Sequence, residues 1–245
     1  MIKEALQYII GLQQPRVEEI KGKHYYFYNG SPMLLGECRT CDALEISTLT
    51  SLVEYIKGRL ADDFAAAGAV PKMIVHVKSE TEVRLVSAFN GDMDRWEIAT
   101  AKARVPEIQL NRFMDQENFI IQMQSMFIET PDKAIVMQVA GNVEDKTVAN
   151  YGDDGVTQKA TIKSGLSGME DVLVPNPVKL RPFRTFHEID QPEIAFVFRM
   201  RNGSNGVSCA LFEADGGAWK FDAVHSIAEY LKNELKGVEN VAILS

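Results

Sequence analysis

The chain has 245 residues, enough for one large domain or two small ones with a substantial core. Hydrophobic residues make up 46% and charged residues 24%, a balance ordinary for a globular protein, so disorder is not the default reading. The net charge of −8 favours solubility and argues against broad phosphate-backbone binding, which needs many Lys and Arg contacts, but it leaves room for a local basic site.

Residues 1–12 place Ala5, Leu6, Ile9 and Ile10 on one side of a short helix that Pro15 ends. Glu4, Gln7 and Gly11 interrupt the apolar run, so no secretory leader is predicted there. No apolar run reaches the roughly eighteen residues of a membrane span. Residues 23–28 predict an aromatic strand closed by a turn at Asn29-Gly30, and 43–46 predict another strand. Ser47 stands at an N-cap position ahead of Leu49, Leu52, Val53, Ile56 and Leu60, which follow at helical spacing. Strands are predicted at 73–77, 82–89 and 95–99, the last two joined at Asn90-Gly91. Asn111 predicts the cap of a helix over 112–129, which Thr130-Pro131-Asp132 stops.

From residue 133 the pattern turns β-rich. Strands are predicted at 134–140, 143–151 and 156–162, with a loop at 165–170. Residues 194–201 and 206–213 read as a hairpin across a short Gly-containing loop. Asp222 predicts the cap of a last helix carrying Val224, Ile227, Ala228, Leu231 and Leu235 on one face, with Gly237 as its stop and an edge strand at 241–244. The fold class is therefore α+β: antiparallel sheets with a few packed helices. Residues 1–131 form a mixed half and 132–245 a β-rich half with a closing helix, as two lobes or one continuous domain.

The chemistry-bearing motifs are sparse. The chain contains no HExxH, GxSxG, P-loop or GxGxxG. Cys38 and Cys41 form a CxxC, the spacing of half a zinc site or a redox pair, but no second pair completes a coordination shell. Cys209 falls in a predicted core strand, where a free thiol behaves as a small hydrophobe. Three cysteines suit a reducing compartment, and a cytoplasmic location is expected. His24, His76, His187 and His225 are scattered. No catalytic residue, metal site or cofactor is predicted.

The densest positive charge lies in 176–220. If 194–201 is a strand, Phe196, Phe198 and Met200 share one face, and Val197, Arg199 and Arg201 share the other. A preceding strand would carry Arg181, Phe183, Thr185 and His187 on one face, with Arg184 and Phe186 opposite. Guanidinium groups on neighbouring strands make a forked receptor for phosphate or carboxylate. The alternative is pairing of these arginines with Glu188, Asp190, Glu193 or Glu213 across strands. Tyr25, Tyr26, Phe27 and Tyr28 offer rings for base stacking, although alternate residues of a strand face opposite ways.

The run STLTSLVEYIK (47–57), the FMDQENFI start of the middle helix and VKLRPFRTFHEIDQPEIAFVFRMR together resemble the YfdQ-like proteins of phages and prophages, over roughly residues 40–235. That family has no assigned activity, so the resemblance carries over no catalytic residues. It implies a virus-derived gene acting inside a bacterial cell, in a family whose members are encoded among phage genes for DNA replication and recombination. The resulting expectation is a non-enzymatic accessory protein that self-associates as a homo-oligomer, with no membrane partner. Its ligand would be an anion, a nucleotide or single-stranded nucleic acid held by Arg181, Arg184, Arg199 and Arg201. Two rivals stand beside it. One is a metal-dependent enzyme on nucleic acid or nucleotides that gathers Asp153, Asp154, Glu213 and Asp215. The other is a structural or assembly protein of the virion.

Overall fold

A computed structural model describes residues 3, 16–20, 23–28, 31–34, 42–60, 72–89, 95–142, 157–164, 168–203 and 206–245. The predicted helix at 1–12 (all but Lys3), the turns at 29–30 and 90–91, Cys38, Cys41, the strand at 143–151, and Asp153 and Asp154 lie outside them. The chain is α+β and divides into two compact units, Met1–Asp42 and Ala43–Ser245.

The first unit holds an antiparallel meander of β1 (Arg16–Ile20), β2 (Lys23–Tyr28) and β3 (Ser31–Leu34). β2 is the aromatic strand the sequence predicts. Its Tyr25, Tyr26 and Phe27 are all half-buried.

The second unit contains two five-stranded sheets. The first has the order β15-β5-β6-β7-β4, built from β4 (Leu44–Ile46), β5 (Met73–Ser79), β6 (Glu82–Ser87), β7 (Glu97–Lys102) and β15 (Val241–Leu244). Its middle is antiparallel, and its two edge strands run parallel to their neighbours. Met73, Val75, Val77, Val83, Leu85, Ala99 and Ala101 bury one face against Leu49, Leu52, Val53 and Ile56 of α1 (Leu49–Lys57). Each of the Val, Leu, Ile and Met side chains contributes about 1.5–3 kcal/mol on burial. The cap of α1 is Thr48, not Ser47: the Thr48 hydroxyl accepts the Ser51 N–H at 3.2 Å, while Ser47 accepts Arg104 Nε at 3.1 Å.

The second sheet has the order β8-β14-β13-β12-β9 and is antiparallel throughout. It comprises β8 (Met114–Asp115), β9 (Phe127–Ile128), β12 (Val178–Pro182), β13 (Ile194–Gly203) and β14 (Gly206–Glu213). Its inner face, with Val178, Leu180, Ile194, Phe196, Phe198, Val207, Cys209 and Leu211, packs on α2 (Gln116–Met126) and α3 (Pro131–Asn142). A separate hairpin of β10 (Thr157–Ser164) and β11 (Gly168–Pro175) precedes β12. Both sheets combine strands from before and after residue 131, with β15 at an edge of the first and β8 and β9 at the two edges of the second.

Three local expectations are corrected. The helix expected over 112–129 begins at Gln116 with Asp115 as its cap, whose carboxylate accepts the Asn118 N–H at 2.9 Å. Asn111 instead adopts φ 58°, donates its N–H to the Leu211 carbonyl at 2.8 Å, and accepts the Glu213 N–H. Residues 134–140 are helix α3, not a strand. Thr130 accepts the Lys133 N–H at 3.1 Å, Pro131 opens the first turn and Asp132 follows, a sequence that starts a helix. The buried residues Lys133, Val136, Val139 and Ala140 then recur at helical spacing. The final helix, α4 (Trp219–Glu234), starts three residues before Asp222. Asp215 serves its N-terminus by accepting the N–H groups of Gly217 and Trp219, both at 3.1 Å, across a turn in which Gly216 and Gly217 take φ of 65° and 84°.

Among the described residues, no helix is long and apolar enough to cross a membrane.

Candidate functional site

The segment expected to extend β12 through His187 is not a strand. β12 ends at Pro182, whose ring cannot donate to a ladder, and 183–193 is an irregular loop organised by one side chain. Gln191 is buried, and its Oε1 accepts the N–H groups of Arg184 (2.8 Å) and Thr185 (3.1 Å). Its Nε2 donates to the carbonyls of Phe186 (2.9 Å) and Ile189 (3.4 Å). A single amide thus satisfies backbone groups that a buried loop would otherwise leave unpaired. The alternation inferred for Arg181, Phe183, Thr185 and His187 therefore has no strand to carry it.

The four arginines do not converge. Arg184 turns to the inner side of the sheet. Its Nη1 donates to Glu213, and its guanidinium lies 4.8 Å from the Trp219 ring centroid and 5.7 Å from that of Phe196. The side chain is only 12% exposed. Arg181 Nε donates to the Gln191 carbonyl at 3.0 Å, and its Nη2 is 3.8 Å from Asp190. The pairing of Leu180 with Ile194 puts Arg181 beside Glu193, six positions before Arg199 and hence about 20 Å along the strand.

Arg199 and Arg201 do share a face. They alternate on β13 with the buried Phe196 and Phe198, so they project from the outer side of the sheet, about 7 Å apart. The register sets Arg199 against Ala210, Arg201 against Ser208 and Val197 against Phe212. β8 lies along the other side of β14, and its pairing carries Phe113 to the position beside Ala210. The Arg201 guanidinium sits 3.9 Å above the Phe113 ring, and Phe113 meets Phe212 edge-on at 6.0 Å. Ala210, at the centre of this face, is fully buried beneath its neighbours. Arg199 Nη1 donates to the Phe198 carbonyl at 3.1 Å.

Arg201 makes no ion pair among the described residues. The nearest acid in the register is Asp115, opposite Ser208. Both of its oxygens serve the start of α2: the Asn118 N–H and then the Asn118 side-chain amide hold its carboxyl below the ordinary range. The outer face therefore presents a stacked guanidinium, two aromatic rings and a second guanidinium. Guanidinium N–H edges grip phosphate, and rings stack planar groups. Phe113 and Phe212 were not among the candidates from sequence. The legible signal was Phe212, out of phase with the buried Val207, Cys209 and Leu211 on its strand.

Other candidates have structural work. Glu213 pairs with Arg184 and Asp215 serves α4, so the two described carboxylates of the metal-enzyme reading do not aim at one point. Burial pushes the Cys209 thiol up to about 12, which keeps it protonated and unreactive. His187 packs against Phe183, with ring centroids 5.4 Å apart. Among the described residues no cluster of three His, Cys, Asp or Glu side chains is placed to hold a metal ion.

No family model, curated protein or solved structure matches the chain.

Proposed function

We propose that the protein is a binding protein of phage or prophage origin, acting without catalysis inside a bacterial cell. The outer face of β13 and β14 receives a ligand that combines negative charge with a planar ring, as nucleotides and nucleic acids do. One observation carries the reading: Arg201 lies stacked on Phe113 with its N–H edges unpaired by any described carboxylate. Arg199 and the rings of Phe113 and Phe212 share its face. The other two arginines of the segment belong to the framework.

The test is a titration of the purified protein with free nucleotides and fluorescently labelled oligonucleotides at low salt, beside the Arg201→Ala variant. Saturable, salt-sensitive binding that weakens at least tenfold in the variant is the expected result. Absence of saturable binding to every one of these ligands would sink the reading. Light scattering on the same samples reports the expected self-association.

A further inference from the structure

Resting on that reading, we infer that the outer face of β13 and β14 takes single-stranded nucleic acid, in preference to a mononucleotide or a duplex. Three rows cross the strand pair: Val197 with Phe212, Arg199 with Ala210, and Arg201 with Ser208. Phe212 stands in the first row, Phe113 reaches the second from beside Ala210, and the Arg201 guanidinium leans from the third row onto the Phe113 ring. Two rings and a cation are therefore strung over three rows, about 13 Å, a length that spans more than one nucleotide of an extended strand.

Magnitude separates polymer from monomer. One base stacked on one ring or guanidinium gives about tenfold to a hundredfold in affinity, and a single screened phosphate contact adds little. A mononucleotide on an open sheet face is thus held at around the millimolar level. A strand that engages two or three rows at once multiplies these weak contacts. Duplex is disfavoured for two reasons. Its bases are stacked on one another and cannot reach Phe113 or Phe212. Its phosphates must be gripped by many cations, which a chain of net charge −8 does not supply.

The experiment measures fluorescence anisotropy with single-stranded DNA and RNA of increasing length, with a duplex of the longest sequence, and with mononucleotides as competitors, across a salt series. Affinity should rise with length to a plateau at least tenfold above any mononucleotide, and the duplex should bind at least tenfold more weakly than the equal-length single strand. Comparing the DNA and RNA series shows which sugar is preferred. Arg201→Ala should reduce the salt dependence of log K by about 0.7, the contribution of one phosphate on a single strand. Arg201→Lys keeps the charge and should keep the salt dependence, while losing severalfold in affinity because an ammonium does not stack as a guanidinium does.

Mononucleotides that bind as tightly as oligonucleotides would overturn the single-strand inference and leave the proposed function standing. Duplex bound as tightly as single strand would do the same. Arg201→Lys indistinguishable from the parent protein would remove the stacking role. Failure of every ligand to bind would take both claims down together.

Discussion

The two sides of the β13–β14 ribbon use the same residue type for opposite ends. On the inner side, Arg184 is enclosed by Glu213, Trp219 and Phe196, and it ties the 183–193 loop to β14 and to the start of α4. On the outer side, Arg201 lies exposed across Phe113, with no described carboxylate as partner. An enclosed guanidinium that lost its partner would be left as an uncompensated charge, so its worth is structural. An exposed guanidinium on a ring contributes little to folding and keeps its N–H edges available. Arginine density along a sequence is therefore no measure of a binding surface until each side chain is assigned a face.

Substitutions can break or sharpen this contrast. The largest effect is expected at Gln191: Gln191→Leu strands the N–H groups of Arg184 and Thr185 without an acceptor and should cost about 3 kcal/mol in urea unfolding. Arg184→Met should follow, at about 2 kcal/mol, because Glu213 is a third exposed and water partly compensates it. An unchanged urea midpoint for Arg184→Met would erase the difference between the two faces. Thr130→Ala, which removes the hydroxyl that starts α3 under the inner face, should cost about 1 kcal/mol. Arg201→Ala should lower stability by less than about 1 kcal/mol while abolishing most ligand affinity, the reverse of the Arg184 result.

The smallest expected effect is an acid limb at Asp115. Its carboxyl is held below its ordinary value, so its stabilisation is complete above the unfolded pKa and is lost as pH falls through the lower folded value. Asp115→Asn preserves an N-cap side chain. Its amide nitrogen cannot accept from the Asn118 side chain as the second carboxylate oxygen does, so the substitution should lower neutral-pH stability modestly and flatten the decline below about pH 4, read from urea midpoints across a pH series.

How legible this was in the sequence varied with the range of the interactions. Elements set by local periodicity were readable: Leu49, Leu52, Val53 and Ile56 defined α1, and the β13–β14 hairpin followed from its alternation and turn. α3 reads as a strand in the sequence because Ile135, Val136 and Met137 are consecutive apolar residues, and because Thr130-Pro131-Asp132 looks like the end of one helix when it begins the next. Asp115 is the better cap on local chemistry, since Gln116 and Glu117 follow it directly, but Asn111 precedes Phe113, which falls on the apolar face of the longer expected helix. The loop at 183–193 was out of reach of periodicity, because its form depends on one buried amide closing on backbone groups five to seven residues earlier. The candidate face was half legible. Alternation placed Arg199 and Arg201 together, but nothing local announced that Phe113 would come beneath Arg201 from 88 residues away in the chain.

Helix α4 lies in two interiors. Trp219 and Ala223, in its first turns, belong to the interior beneath the β13–β14 sheet, while Ile227, Ala228 and Leu231 belong to the interior beneath the β5–β6 sheet. A single rod is threaded through both. Loosening either interior tugs at the other, so on heating the two should come apart together as one calorimetric peak.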